Sequence, residues 1–368
     1  MLVIERGVLY IVDSSMSSVK QHVLVLLKYL NRARYKPYLV TSDDTYIAEH
    51  IKDLDVEYIV IPGISTATKL NVGGIVKQIQ QFLEERKVNL VHTHGDQACF
   101  VGTHLAKALE VKHVSTVHTA EDTSKKKGLF GIQHDKVLTT PDRIIAISED
   151  IRKQVEPLNE VRLIYNGIEI ERFGDTLDTE HLFRELEVTK DHKMIGTVTE
   201  LTPGSGIDVF LDAAAKLQKD DPEMHFIVAG DGDELDNLKE KAASLGIAKN
   251  AHFLGFRRDV AHILKSLNVV VIPNISTELP LALLEALASI KPVVISDTPG
   301  VREVVSEDSV EFVKPGDADA IVKAVSGLLS DADKANAKAS AGQKLISGRF
   351  SVENMIKPTQ SLYLEVAG

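Results

Sequence analysis

The stretch Pro273–Val305, PNISTELPLALLEALASIKPVVISDTPGVREVV, decides the fold. The apolar run Asn268–Pro273 has the length and β-branching of a buried strand and ends in a polar loop. Pro280 then opens a predicted helix through Ala288, because proline in a first helical turn gives up no hydrogen bond. A second apolar run, Pro292–Ser296, follows. Strand, helix, strand at this spacing is the building unit of a parallel α/β sheet. In open sheets of that kind ligands bind in the crevice at the carboxyl ends of the strands, where a helix N-terminus favours anions. The amides of Leu281 and Ala282 are expected to point into that crevice. Glu285, about one turn on, is expected to accept hydrogen bonds from a ribose diol.

The alternation extends outward. On the N-terminal side, Val8–Val12, Tyr38–Thr41, Glu57–Ile61, Leu90–His92, His113–His118 and Arg143–Ser148 read as strands. Helices are predicted over Val19–Ala33 and Gly74–Arg86. Nearer the starting stretch, Met194–Val198, His225–Gly230 and Ala251–Leu254 repeat the pattern, and Val310–Val313 closes it. The polar stretch Gly174–Lys193 reads as a connection, and Phe350-Ser351 opens a last helix to Val366. A chain of 368 residues is long enough for two cores, so the expectation is two doubly wound parallel sheets.

The order of motifs resembles family 4 (group 1) retaining glycosyltransferases. Their donor-site signature reads E-G-x-P-L-x-x-x-E-A-x-A-x-G-x-P-V-V. Pro280, Leu281, Glu285, Ala286, Ala288, Pro292, Val293 and Val294 match it. GTVTELTPGSGID, FIVAGDGDE, HFLGFRRDV and TPGVREVV follow the family's order, and Asn166, Gly167, Ile168, Arg172 and Phe173 match its hinge. The resemblance implies the GT-B architecture, two Rossmann-like domains facing across a cleft. Residues 1–170 would form the acceptor-side domain, completed by helix 350–368. Residues 190–349 would form the nucleotide-sugar donor domain, and 171–189 the connection.

The resemblance also assigns residues. The first of the family's paired glutamates falls on Thr277, and Glu278 takes the place of its glycine. The family holds the diphosphate with an Arg and a Lys in V-G-R-L-x-P-E-K-G; here those positions are Glu200 and Ser205. Two cations become one anion and a hydroxyl, at a place where preorganised positive charge contributes a hundredfold or more in rate per donor. An outward-turned Glu200, paired with Arg302 or Arg257, is the plain alternative to a pocket-lining one. Phe256 and Arg257 match the segment that reads the nucleobase. The glycine pair of the first βα loop is replaced by Ser17-Ser18, which reads more simply as a helix cap before Val19. His118 matches a histidine facing the donor sugar, and His22, His94, Gly95 and Gln97 match acceptor-side positions. His92 and His94 alternate along one strand, but no carboxylate or Cys joins them, so they read as structural histidines and not a metal pair.

Composition narrows the remaining choices. A net charge of −11 opposes generic nucleic-acid binding, and the single cysteine, Cys99, suits a reducing compartment. No apolar run is long enough to span a bilayer, so the expected place is the cytoplasm. Lys125-Lys126-Lys127 is too small a patch for more than peripheral membrane contact. Two functions follow. One is a metal-independent transferase using a nucleotide-sugar donor and an acceptor the sequence does not identify. The other is a pseudo-glycosyltransferase, natural or engineered to lose donor binding, that acts by binding a protein partner.

Overall fold

The computed structural model describes residues 6–13, 17–42, 50–119, 141–157, 159–174, 177–275 and 279–368. Thr277 and Lys125-Lys126-Lys127 lie outside the described residues. The chain divides into two compact units, 1–167 with 352–368, and 168–351.

The first unit carries a seven-stranded sheet. Its strands are β1 (Arg6–Val12), β2 (Tyr35–Thr41), β3 (Glu57–Val60), β4 (Leu90–His94), β5 (Lys112–Val117), β6 (Arg143–Ala146) and β7 (Val161–Leu163), in the order β3-β2-β1-β4-β5-β6-β7. Every pairing is parallel. Strands buried on both faces need apolar side chains throughout, and β1 is buried from Gly7 to Val12. The last helix, Val352–Ala367, belongs to this unit and not to the residues preceding it. Met355, Leu362 and Tyr363 join Val8, Tyr10 and Leu39 in one core.

The second unit has a six-stranded parallel sheet, β8 (Met194–Val198), β9 (His225–Ala229), β10 (Ala251–Gly255), β11 (Val269–Ile272), β12 (Val293–Ser296) and β13 (Glu311–Val313). The order is β10-β9-β8-β11-β12-β13. In both sheets the winding reverses once, between β1 and β4 and between β8 and β11. Those reversals open the crevices in which doubly wound sheets bind ligands.

Three boundaries differ from the reading of the sequence. The first helix runs Ser17–Tyr29, so Ser18 lies inside its first turn and is not a cap before Val19. β2 begins at Tyr35, although Pro37 reads as a strand breaker; β3 pairs only from Tyr38 onward, so Pro37 interrupts no ladder on that side. Residues 177–189 are part of the second unit, where helix Glu180–Glu185 packs on helix Val260–Ser266.

Candidate functional site

On the second unit, the loop after β8 is tied to both neighbouring strands. Thr199 N donates to Ala229 O (3.0 Å) and Leu201 N to Asp231 O (2.9 Å), which pins it over the end of β9. On the other side, Ile275 N donates to Gly204 O (3.0 Å). Gly206 has φ +74° and lies so close to the chain after β11 that an added Cβ would stand 2.0 Å from Pro273 O. Only glycine satisfies both conditions. Glu200 is therefore held at the winding reversal, exposed, with Ser205 half-buried beside it.

From the adjacent strand end, Pro280 enters the helix Leu281–Ala288 in extended conformation (ψ 133°). Leu281 and Ala282 occupy its half-buried first turn, and Glu285 follows with 8% exposure. Phe256, after β10, is 51% exposed, a large apolar face at the same edge of the sheet. Arg257 next to it is held by Asp259 (Nη2–Oδ2 2.6 Å) and Glu185 (Nη2–Oε2 2.9 Å), which raise its pKa further above the ordinary guanidinium range. Arg302 is held by Asp297 (Nε–Oδ1 2.6 Å) and Glu307. The outward partners considered for Glu200 are thus committed to other carboxylates.

On the first unit, the register of β4 against β5 sets His94 opposite Thr116, two residues before His118. Helix Ser17–Tyr29, which follows β1, adds His22. His94 Nδ1 stands 3.0 Å from His118 Nε2, and the His22 ring centroid is 4.9 Å from that of His118 and 5.3 Å from that of His94. Gly95 (φ +102°) lets this corner close: a Cβ there would stand 2.1 Å from Asp13 O. Burial lowers the pKa of His94 and His118 well below the usual histidine range, and neighbouring imidazoles lower it further. His22 is lowered by burial to about 4, against the opposing effect of Asn166. All three rings are neutral near pH 7. Ser18 is half-buried in the same helix.

Two family models cover most of the chain: glycosyl transferases group 1 over residues 178–345, and glycosyltransferase family 4 over 19–172. The chain belongs to the group 1, family 4 glycosyltransferases. Its fold is GT-B. The glycosyltransferase is 29% identical over 296 residues to an uncharacterised glycosyltransferase of Methanocaldococcus jannaschii, covering 75% of each chain. It is 24% identical to the Escherichia coli UDP-Gal:alpha-D-GlcNAc-diphosphoundecaprenol alpha-1,3-galactosyltransferase, covering 78% of each. Among solved structures, Anabaena HepE in complex with UDP superposes with a TM-score of 0.81 at 19% identity, over 98% of this chain and 100% of that one. A Rickettsia africae glycosyltransferase gives 0.84 at 17%, over 99% of both.

The reading of the sequence took His92 and His94 together as structural. The structure separates them. His92 is fully bonded, Nδ1 to the Tyr363 hydroxyl (2.6 Å) and Nε2 to Thr116 Oγ1 (2.8 Å), whereas His94 turns to His118. The grouping of His22 with His94 and His118 was missed, because the three residues come from three elements far apart in sequence. The available signal was positional: His94 ends β4, His118 directly follows β5, and His22 lies in the helix that follows β1. No described helix is long and apolar enough to cross a membrane.

Proposed function

We propose that this glycosyltransferase transfers a sugar, with retention and without a metal in the donor chemistry, from a nucleoside diphosphate sugar held on its second unit with weakened affinity. The observation that carries this reading is the buried Glu285 in helix Leu281–Ala288, at the strand end to which the Glu200–Ser205 loop is tied. Glu285 takes the ribose, the Leu281 and Ala282 amides the diphosphate, and Phe256 the base. His118 is assigned to sugar recognition on the resemblance alone. Uridine nucleotides are the first donors to test, since HepE is described with UDP and with UDP-glucose.

A second reading is favoured by Glu200 itself. Replacing Arg and Lys by Glu and Ser removes three positive charge units from the neighbourhood of a diphosphate. At an effective dielectric of about 20, a unit charge some 4 Å away is worth roughly 4 kcal/mol before desolvation. Glu200 is exposed, so solvent screening reduces this greatly. Even the remainder favours a binding scaffold without transfer, acting on a protein partner. Calorimetry separates the two readings. Measurable UDP affinity, with release of UDP from UDP-sugar in the presence of acceptor extracts, supports the transferase. The double variant Glu200→Arg/Ser205→Lys is expected to gain at least tenfold in UDP affinity, which requires only about 1.4 kcal/mol. No UDP binding by either protein would overturn the donor assignment.

A further inference from the structure

We infer that His22, His94 and His118 form a binding site for a divalent transition metal on the first unit, of the zinc and cobalt class. One nitrogen from each imidazole lies within 4.8 Å of one from each of the others. Tetrahedral zinc with metal–nitrogen distances of about 2.0–2.1 Å sets its ligands roughly 3.4 Å apart, so closure draws together nitrogens that already lie within 4.8 Å of one another. Three imidazoles with an open fourth position are a standard donor set for this metal class. Without a carboxylate or backbone oxygen among them, the set selects against magnesium and calcium.

Two further observations point to a ligand. His94 has no exposed surface and His22 only 8%. Yet His94 Nε2 and His22 Nδ1 have no hydrogen-bond partner among the described residues. Buried imidazole nitrogens are ordinarily bonded, and an orphaned one calls for an ion, a water or a ligand. Behind them His92 is locked by Tyr363 and Thr116 and packs against His94, tilted 43° with ring centroids 4.3 Å apart, which supports the His94 ring from the protein side. The proposal concerns binding and does not depend on the transferase reading.

The test uses the full chain, treated with chelator and titrated with Co2+. The second unit carries another histidine row, His192–His225–His252, so the reference protein is His225→Gln. The expected result is one equivalent of Co2+ with the visible absorption of tetrahedral cobalt. His22→Gln and His118→Asn, each made in the reference protein, should weaken it at least tenfold. Thermal unfolding of the reference protein should shift upward with Zn2+, and that of the two variants should not. Absence of cobalt binding in the reference protein overturns the site, as does binding unchanged in both variants. Should a variant fail to fold, X-ray absorption on the zinc-loaded reference protein decides without it. Three imidazole ligands support the site, and fewer than three overturn it.

Discussion

Beside its backbone hydrogen bonds, the loop that carries Glu200 and Ser205 depends on one close backbone approach, at Gly206. Gly206→Ala would force a side chain into left-handed backbone and drive its Cβ to 2.0 Å from Pro273 O. The left-handed conformation alone costs roughly 1–2 kcal/mol for a residue with a Cβ, and the clash is with backbone that cannot rotate away. The variant is expected to lose at least that much stability in urea denaturation and to weaken UDP binding as the loop shifts. Stability equal to the parent protein would show that the loop tolerates displacement. At this scale the sequence was legible wherever one residue type has one meaning. Pro280 as a helix entry and Glu285 one turn on were found in place. It was illegible where function depends on which residues meet: neither the charge partners of Arg257 and Arg302 nor the grouping of His22 with His94 and His118 can be read from spacing. Glu185, which holds Arg257, lies 72 positions away.

The elements were legible for a physical reason. Parallel strands covered on both faces are near-continuous apolar runs rich in β-branched residues; β11 and β12 read that way outright, and β8 and β9 largely so. The strand β7, Val161–Leu163, escaped notice because it is an edge of three residues that is nowhere fully buried. The amino ends of β8–β10 carry a pH-dependent feature. His192 Nδ1 lies 3.1 Å from His225 Nε2, and His225 Nδ1 lies 2.8 Å from His252 Nε2. Burial, then repulsion from His252 and His192, lowers His225 to about 4, with Asp221 opposing. Unfolded histidine titrates near 6.5, so between these values the unfolded chain binds more protons than the folded one. The stability is therefore complete above about pH 6.5 and is lost as pH falls toward 4. His113 behaves alike in the first unit: it is fully buried, bonded to Thr93 Oγ1 at 2.9 Å, and lowered by burial to about 4. A shift of that size in a buried group corresponds to about 3 kcal/mol at full expression. Urea midpoints should fall between about pH 6.5 and pH 5. In His225→Gln the fall should be shallower for the second unit only. A midpoint that rises on acidification would contradict this sign.

For the whole molecule, the end of the chain is structurally part of its beginning. Helix Val352–Ala367 completes the first unit, although 184 residues of the second unit, Ile168–Ser351, intervene. Tyr363 is its centre. Its hydroxyl meets Tyr10 (3.1 Å) and His92 Nδ1 (2.6 Å), and its ring packs edge-on against Tyr35 at 5.8 Å. Removing the helix exposes the core around Val8, Tyr10 and Leu39 and leaves His92 and Tyr10 buried without their partner. Each fully buried large apolar side chain contributes about 1.5–3 kcal/mol, so Met355, Ile356, Leu362 and Tyr363 together approach the whole stability of an ordinary domain. The two units should then respond oppositely to cutting. Residues 168–351 contain a complete six-stranded sheet and its covering helices, and as a separate chain they are expected to fold cooperatively. Residues 1–167 alone are expected to lack a cooperative transition and to regain it when 352–368 is fused to them through a short flexible linker. In the intact protein, Tyr363→Phe removes only the hydroxyl. It should lower the midpoint of the first unit by an amount corresponding to about 1–3 kcal/mol, the cost of leaving buried polar partners unpaired, and leave the second unit unchanged. Circular dichroism and urea denaturation of the fragments and the variant measure all of these. A cooperative transition in 1–167 without the helix would mean that the first core closes on its own and that the helix only docks on a finished surface.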